Sequence, residues 1–526
     1  MLIRWLYSVA DLKMIQMFYR IWYPVRTYWR KFTGFSYPGQ ASFPSPQKLE
    51  FTKYFSNNTT YLGKEAFIFL NKSYAFNKGI DWDFSLFGKL WTYQLQYFDF
   101  LHQENSNEFK EEFYQIIQDF IEHIPYSATS KEPYPISVRT INWVKYFSIH
   151  GIPEEKTLSG MYSQLMMLED QLEYQHLANH LMENALGLLF GGIFFGDIRL
   201  YRKGRKILLR ELPKQILADG AHFELSPMYH CLTTFRLLDL LQILSGNQSR
   251  LGRLDKNLSD FIEIIRNYAF KMLDWLKSFA YHDGSIAHFN DSTKGLAPAT
   301  YQLFDYGTSM GWKRTNIALR ECGYRHLISG DIEIIIKAGH VGPHYNVAHA
   351  HADSLSFTLF HKSFEVITDR GVSTYEKNEV RQEERGTESH NTVVWKGQNS
   401  SDVWGGFRVG KKAKTIITKD DDKHVIASHN GYPVRHERSW YLSENKLIIS
   451  DKLRGEAATA HLHFNSSADA VQDGNEYRVP SLKITFENAN QIRCTPYNLC
   501  EGFNKVIKST KLSIDFKDSL TTIIEF

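Results

Sequence analysis

Hydrophobic and polar positions follow two different periods along this chain. From about residue 88 to 325, apolar side chains recur every three or four residues, as in EFKEEFYQIIQDFIEHI (108–124) and LSDFIEIIRNYAFKMLDWLKSFA (258–280). That spacing lines one face of a helix. Eight such segments follow one another, joined by short polar loops, which predicts helix pairs stacked into a ring or solenoid. No sequence repeat marks a TPR- or HEAT-type array. Beyond Gly330 the period falls to two. DSLSFTLFHKSFEVITD (353–369) and RSWYLSENKLIISDKL (438–453) alternate and are split by turn residues, which predicts an antiparallel β-sandwich. Before the helices, SYPGQASFPSPQ (36–47) reads as a loop, and residues 52–76 are β-like and predict a small hairpin. The expected organisation is a lead-in over 1–85, a helical domain over 86–328 and a β-sandwich over 329–526.

Composition changes this picture little. A chain of 526 residues exceeds one ordinary core. A charged fraction of 23% and a hydrophobic fraction of 43% are globular values. Aromatics reach 14%, which suits either sugar stacking in a cleft or an aromatic-rich core. The formal net charge of +3 gives no sign of nucleic-acid binding, although local Arg and Lys can still meet an anionic polymer. Cys231, Cys322, Cys494 and Cys500 form no CxxC pair and no disulfide framework. No run of about 18 apolar residues is free of charge. The first 31 residues are basic and aromatic, interrupted by Asp11, Lys13 and Arg20, and lack the features of a signal peptide. The expectation is a cytoplasmic protein whose N-terminal helix either packs on its own domain or lies at the inner membrane surface.

Candidate chemistry concentrates at NVAHAHADSLSFTLF (346–360). If Ala348 to Phe360 runs as a strand, His349, His351 and Asp353 share one face. Asp369 ends the next apolar run and His390 opens the one after. Three neighbouring strands then bring His351, Asp369 and His390 together, either as a metal constellation or as a hydrogen-bonded cluster without metal, with His349 beside it. Three further stretches carry polar residues at the start of apolar runs: PYPISVRTINWVKY (133–146), ANHLMENALGLLFGG (178–192) and DGAHFELSPMYH (219–230). Each has a plain structural explanation. Asn179 suits a helix cap, His180 and Glu183 sit one helical turn apart, and Tyr229 suits a core.

Together these motifs resemble the heparinase II/III-like and alginate lyase families of polysaccharide lyases. WTYQLQYFDFL, DGSIAHFNDS and RGTESHNTVVWKGQNSSDVWGGFRVG extend the resemblance. It implies an incomplete α/α toroid joined to an antiparallel β-sandwich, and β-elimination on polysaccharides containing uronic acids. Elimination needs the C5 carboxylate neutralised, a base for the C5 proton and an acid for the O4 leaving group. By the resemblance, Asn179 and His180 face the carboxylate, Tyr229 is the acid/base, and His349 neutralises the carboxylate or acts as base. His351, Asp369 and His390 match a divalent-metal site, zinc by its donor set. Glu183 is placed to orient His180. Tyr375 is a further substrate-side tyrosine, and Arg139, Trp143, Arg385 and Arg408 are candidates to line the cleft.

Two other classes compete. A glycoside hydrolase on an α/α toroid needs two carboxyl groups across a cleft, for which Asp219, Glu224 and Glu183 are available. A non-catalytic protein that binds polysaccharide during surface-glycan assembly needs only the cleft. A cytoplasmic lyase would point to capsule or exopolysaccharide metabolism.

Overall fold

The computed structural model describes every residue except Met1, Gln40, Tyr54, Leu254, Asp469, Gly474, Asn475 and Ser481, and only the backbone of Leu2, Ile3, Trp5 and Leu6. Helices α1 (Leu2–Ala10) and α2 (Met14–Phe32) lead the chain. A small antiparallel sheet follows, ordered β1 (Tyr61–Gly63), β2 (Ala66–Phe69) and β3 (Lys72–Ala75). The single hairpin expected here is two. Lys64 and Glu65 (φ 52° and 55°) and Leu70 and Asn71 (φ 53° and 60°) each form a two-residue turn with both residues left-handed. That geometry matches strand twist, but no glycine occupies these turns to announce them.

The helical ring comprises α3 (Lys89–Tyr97), α4 (Lys110–His123), α5 (Pro133–His150), α6 (Glu155–Asp170), α7 (Ala178–Phe195), α8 (Ile198–Gln215), α9 (Pro227–Gly246), α10 (Gln248–Leu251), α11 (Leu258–Phe279) and α12 (Thr300–Ser309). The most apolar of the long helices, α7, is central. It packs on both α5 and α8. Close approach depends on small residues: a Cβ on Gly187 would sit 2.8 Å from the Ser137 Cα, and one on Gly204 would sit 2.7 Å from the Ala185 carbonyl oxygen. One hydrophobic core runs from the lead-in sheet (Phe67, Phe69) through the ring (Trp91, Phe190, Leu238, Trp275).

The β region begins at Tyr324, slightly before the expected boundary at 329. A four-stranded sheet runs β4 (Tyr324–Ser329), β5 (Ile332–Lys337), β6 (Ser356–His361), β7 (Phe364–Ile367). It shares a core (Ile334, Phe357, Trp440, Leu512) with a nine-stranded sheet. That sheet includes β8 (Val393–Trp395) and three long strands, Lys446–His463, Leu482–Gly502 and Lys505–Glu525. The fold is an α/α toroid followed by an antiparallel β-sandwich, as the sequence predicts. Polar contacts tie the two halves: Tyr324 Oη donates to the Leu225 carbonyl at 2.7 Å, and Asn71 Nδ2 to that of Phe503 at 2.9 Å. Among the described residues no helix is long and apolar enough to cross a membrane, and no disulfide forms.

Candidate active site between the toroid and the sandwich

A cavity of about 750 Å³ lies between the two halves. Asn179, His180 and Tyr229 line its toroid side, and His349, Tyr375 and Arg408 its sandwich side. The toroid wall is delivered by turns that cost backbone strain. Leu177 (φ 59°) and Ala178 (φ 51°) lead into α7 and its Asn179–His180 pair, and Leu225 (φ 55°) precedes α9. Non-glycine residues in the left-handed region cost on the order of 1–3 kcal/mol and persist where the surroundings impose them. Asn179 is therefore inside the first turn rather than the helix cap, which is Leu177. Ser226 caps α9, its Oγ accepting from the Tyr229 amide at 3.4 Å.

HAHAD is not a strand. Residues 348–355 form a turn before β6, with Leu355 left-handed at φ 61°. The alternation that suggested a strand arises because a single buried carboxylate, Asp291, gathers both histidines. His349 Nδ1 donates to Asp291 Oδ2 and His351 Nε2 to Oδ1, each at 2.9 Å, and Arg381 Nη2 donates to Oδ2 at 2.7 Å. Burial opposes ionisation of Asp291, but the Arg381 charge and the two imidazoles outweigh it and hold its carboxyl well below the usual range. The Asp291 loop also reaches the toroid, where the Asp291 carbonyl accepts from Ser226 Oγ at 2.7 Å. One residue thus fixes His349 relative to Tyr229. Their rings lie 4.2 Å apart, and the Tyr229 and Tyr375 hydroxyls 3.5 Å apart. Burial pushes the Tyr229 phenol above its ordinary pKa, so the resting side chain is protonated.

On the opposite wall, His180 Nδ1 donates to Glu173 Oε1 at 2.9 Å, and Glu173 Oε2 accepts from Asn184. Burial works against the His180 cation, but the Glu173 charge and hydrogen bond prevail and raise its pKa. The orienting acid is therefore Glu173. Glu183 instead faces Arg236, whose Nε donates to it at 2.9 Å. Three other expected cleft residues are also displaced. Arg139 is fully buried, bonded to Gln164 and to the Gln96 and Ser130 carbonyls. Trp143 is buried against Phe98 and Phe120. Arg385 is buried and donates to the Ala350 and Arg408 carbonyls, behind the cavity. It is the start of α5, through Tyr134 and Val138, that meets the cavity, with the Tyr134 ring 4.8 Å from that of His180. The middle of that helix points into the core.

Of the carboxyl groups a hydrolase would need, Asp219 binds the Cys322 amide, Glu183 is paired with Arg236, and Glu224 is buried behind His349, its Oε2 3.8 Å from His349 Nε2. None of the three lines the cavity. Asp291, Glu173 and Tyr134 escaped the sequence reading. Asp291 sits in DGSIAHFNDS beside apolar residues, where its clue was a lone acid after Phe289 and Asn290.

His351, Asp369 and His390 do come together. His390 Nδ1 donates to Asp369 Oδ2 at 2.7 Å, and the two imidazole rings are 5.3 Å apart. His351 Nδ1 and His390 Nε2 are buried without a hydrogen-bond partner, a cost normally repaid by a ligand or water. These two nitrogens fit a divalent ion chemically. Asp369 faces His390 and the Gly371 amide instead, and among the described residues no group of three or more His, Cys, Asp or Glu side chains is arranged to hold a metal.

Residues 47–310 match the heparinase II/III N-terminus family and residues 313–526 the heparinase II/III-like, C-terminal family; the chain belongs to the heparinase II/III family. It is 25% identical over 361 residues to a heparin-sulfate lyase of Pedobacter heparinus, covering 62% of this chain and 51% of that protein. It is 24% identical over 368 residues to a heparin-sulfate lyase of Bacteroides thetaiotaomicron, covering 61% and 50%. The chain therefore spans about half the length of the curated relatives it matches. Its fold is similar to the crystal structure of heparinase III, with a TM-score of 0.67 at 19% identity over 90% of this chain and 82% of the other.

Proposed function

We propose that the protein is a polysaccharide lyase that cleaves an anionic, uronic-acid-containing polysaccharide by β-elimination. The observation that carries this is the contact of Tyr229 with His349 across the seam, in one cavity with Asn179 and His180. The substrate carboxylate sits against Asn179 and the His180 cation, which stabilise charge arriving from C5 as an oxyanion hole does. His349, its Nδ1 held by Asp291, offers Nε2 to the C5 hydrogen. The protonated Tyr229 phenol gives its hydrogen to O4 as the C4–O4 bond breaks and C4=C5 forms. The imidazolium and phenolate left behind are adjacent rings and exchange the proton back. Tyr229→Phe keeps the ring packing and removes the acid, so activity on a cleaved uronate polymer should fall about 10²–10⁴-fold with the fold intact. Near-wild-type turnover in Tyr229→Phe would remove this assignment.

The curated relatives act, by name, on heparin sulfate, which supports a sulfated or carboxylated glycan as substrate. Arg408, exposed at the cavity and stacked on Trp404, is the side chain we assign to an acidic group of that glycan. We also assign the two unpartnered nitrogens, His351 Nδ1 and His390 Nε2, to a bound divalent ion, zinc by its donor chemistry, with Asp369 orienting His390; the ion would brace the turn carrying His349. Elemental analysis should find metal in the wild type and less in His351→Ala.

The outer face of α2 supports peripheral contact with an anionic membrane. Phe18, Ile21, Trp22, Tyr28, Trp29 and Phe32 are 43–77% exposed along one helix, and the exposed Lys31 lies in its last turn. Aromatic and basic residues in this arrangement suit the headgroup region, which accords with a protein at the inner face of the membrane. Vesicles of phosphatidylglycerol and phosphatidylcholine should sediment the wild type, and Trp22→Ser/Trp29→Ser should stay in solution. Equal sedimentation of both, or of neither, would contradict this contact.

A further inference from the structure

Residues 8–35 lie outside the span matched to the family, yet several of them form part of the cavity wall. Ser8, Val9, Asp11, Leu12, Gln16 and Arg20 line it beside His176 and Tyr345. The segment is fastened to both halves of the molecule. On the sandwich side, Ser8 Oγ donates to the Val409 carbonyl at 3.1 Å, Asp11 pairs with Lys412 at 2.6 Å, and Lys13 Nζ sits 3.5 Å from the centre of the Tyr345 ring. On the toroid side, Gln16 Nε2 donates to the His176 carbonyl at 3.2 Å, and Arg26 and Arg30 converge on Asp170. The His176 and His180 rings are 5.0 Å apart, so this strap crosses the seam one side chain away from the carboxylate-facing histidine.

The opposite direction is open. Gln94, Asp99, Leu232, Arg236 and Leu296 line both the site cavity and a second cavity of about 890 Å³. That groove continues past Asn57, Asn71, Lys294, Tyr301 and Lys505, amide, aromatic and cationic side chains suited to an anionic glycan. The cleft is therefore long on one side of Tyr229 and walled on the other.

We infer that residues 8–35 make this protein act at chain ends. The polymer lies in the groove toward Lys294 and Lys505, its terminus abuts the strap, and each elimination releases a fragment of fixed, short length. The inference rests on the lyase reading, and one experiment separates the two. A uniform uronate polymer that the enzyme degrades is followed by absorbance of the new double bond and by size-exclusion chromatography. Short fragments should appear from the first time point, while the remaining polymer keeps nearly its full size. Asp170→Ala removes the anchor of Arg26 and Arg30, and limited proteolysis within residues 8–35 reports the release of the strap. In that variant intermediate sizes should appear. Intermediate sizes early in the wild-type digest would overturn the inference and leave the lyase reading standing, as would a released strap that leaves fragment size unchanged. No absorbance on any uronate polymer would remove both.

Discussion

Asp291 is the residue on which the site's geometry converges. It binds two histidines and Arg381 on the sandwich side, while its backbone accepts from Ser226 on the toroid side. Asp291→Asn leaves Arg381 buried with its countercharge removed, which costs on the order of 3–5 kcal/mol. Chemical denaturation should show this variant markedly less stable than His349→Ala, which removes only a side chain at the cavity. Comparable stabilities would mean that Asp291 orients His349 without holding the halves together. His180 gives a pH test. Its pKa is raised in the folded protein by Glu173, so the ion pair's contribution to stability is fully present below pH about 6.5 and is lost as pH rises through the higher folded value. In the proposed mechanism the same cation stabilises charge developing on the substrate carboxylate, so kcat/KM should fall across that window, with kcat falling as well. Glu173→Gln should move this fall to lower pH; an unmoved profile would remove Glu173 from this role. Both histidines were legible in the sequence because NH and HAHAD are dense polar motifs in apolar surroundings. Their partners were not. Glu173 precedes His180 by seven residues but lies before the strained turn that opens α7, so no continuous helix joins them, and Asp291 lies 58 residues before His349.

At the scale of elements, the two periods in the hydrophobic pattern located the ring and the sandwich well, because buried faces repeat over many residues. Turns were where they failed. Left-handed Leu177, Ala178, Leu225 and Leu355 carry none of the Gly or Asn signals by which such turns are read. The strand expected over HAHAD proved to be one of these turns. Cleft-lining residues were misjudged on α5 for a related reason. Arg139 and Trp143 have side chains suited to sugars, but α5 meets the cavity through Tyr134 and Val138 near its start. Packing between helices yields its own prediction. Gly187→Ala would drive a methyl into the Ser137 backbone, which should destabilise the toroid by about 1–3 kcal/mol. Unchanged denaturation would show that α5 and α7 can separate freely at that point.

For the whole molecule, the proposed site lies in the seam. Neither half holds a complete set: the toroid supplies Asn179, His180 and Tyr229, and the sandwich supplies His349, Tyr375 and Arg408. The total charge of +3 is near neutral, and the cleft itself mixes Arg20, Lys89, Arg236 and Arg408 with Asp11, Asp99 and Glu376, so its cations are local contacts that no net charge announces. The central claim is that this seam breaks glycosidic bonds by elimination. The most direct measurement counts new C4–C5 double bonds, by ultraviolet absorbance, against new reducing ends on the same uronate polymer. Elimination predicts one double bond for each new reducing end in the wild type, with both signals falling together in Tyr229→Phe. New reducing ends without absorbance would show hydrolysis and contradict the account.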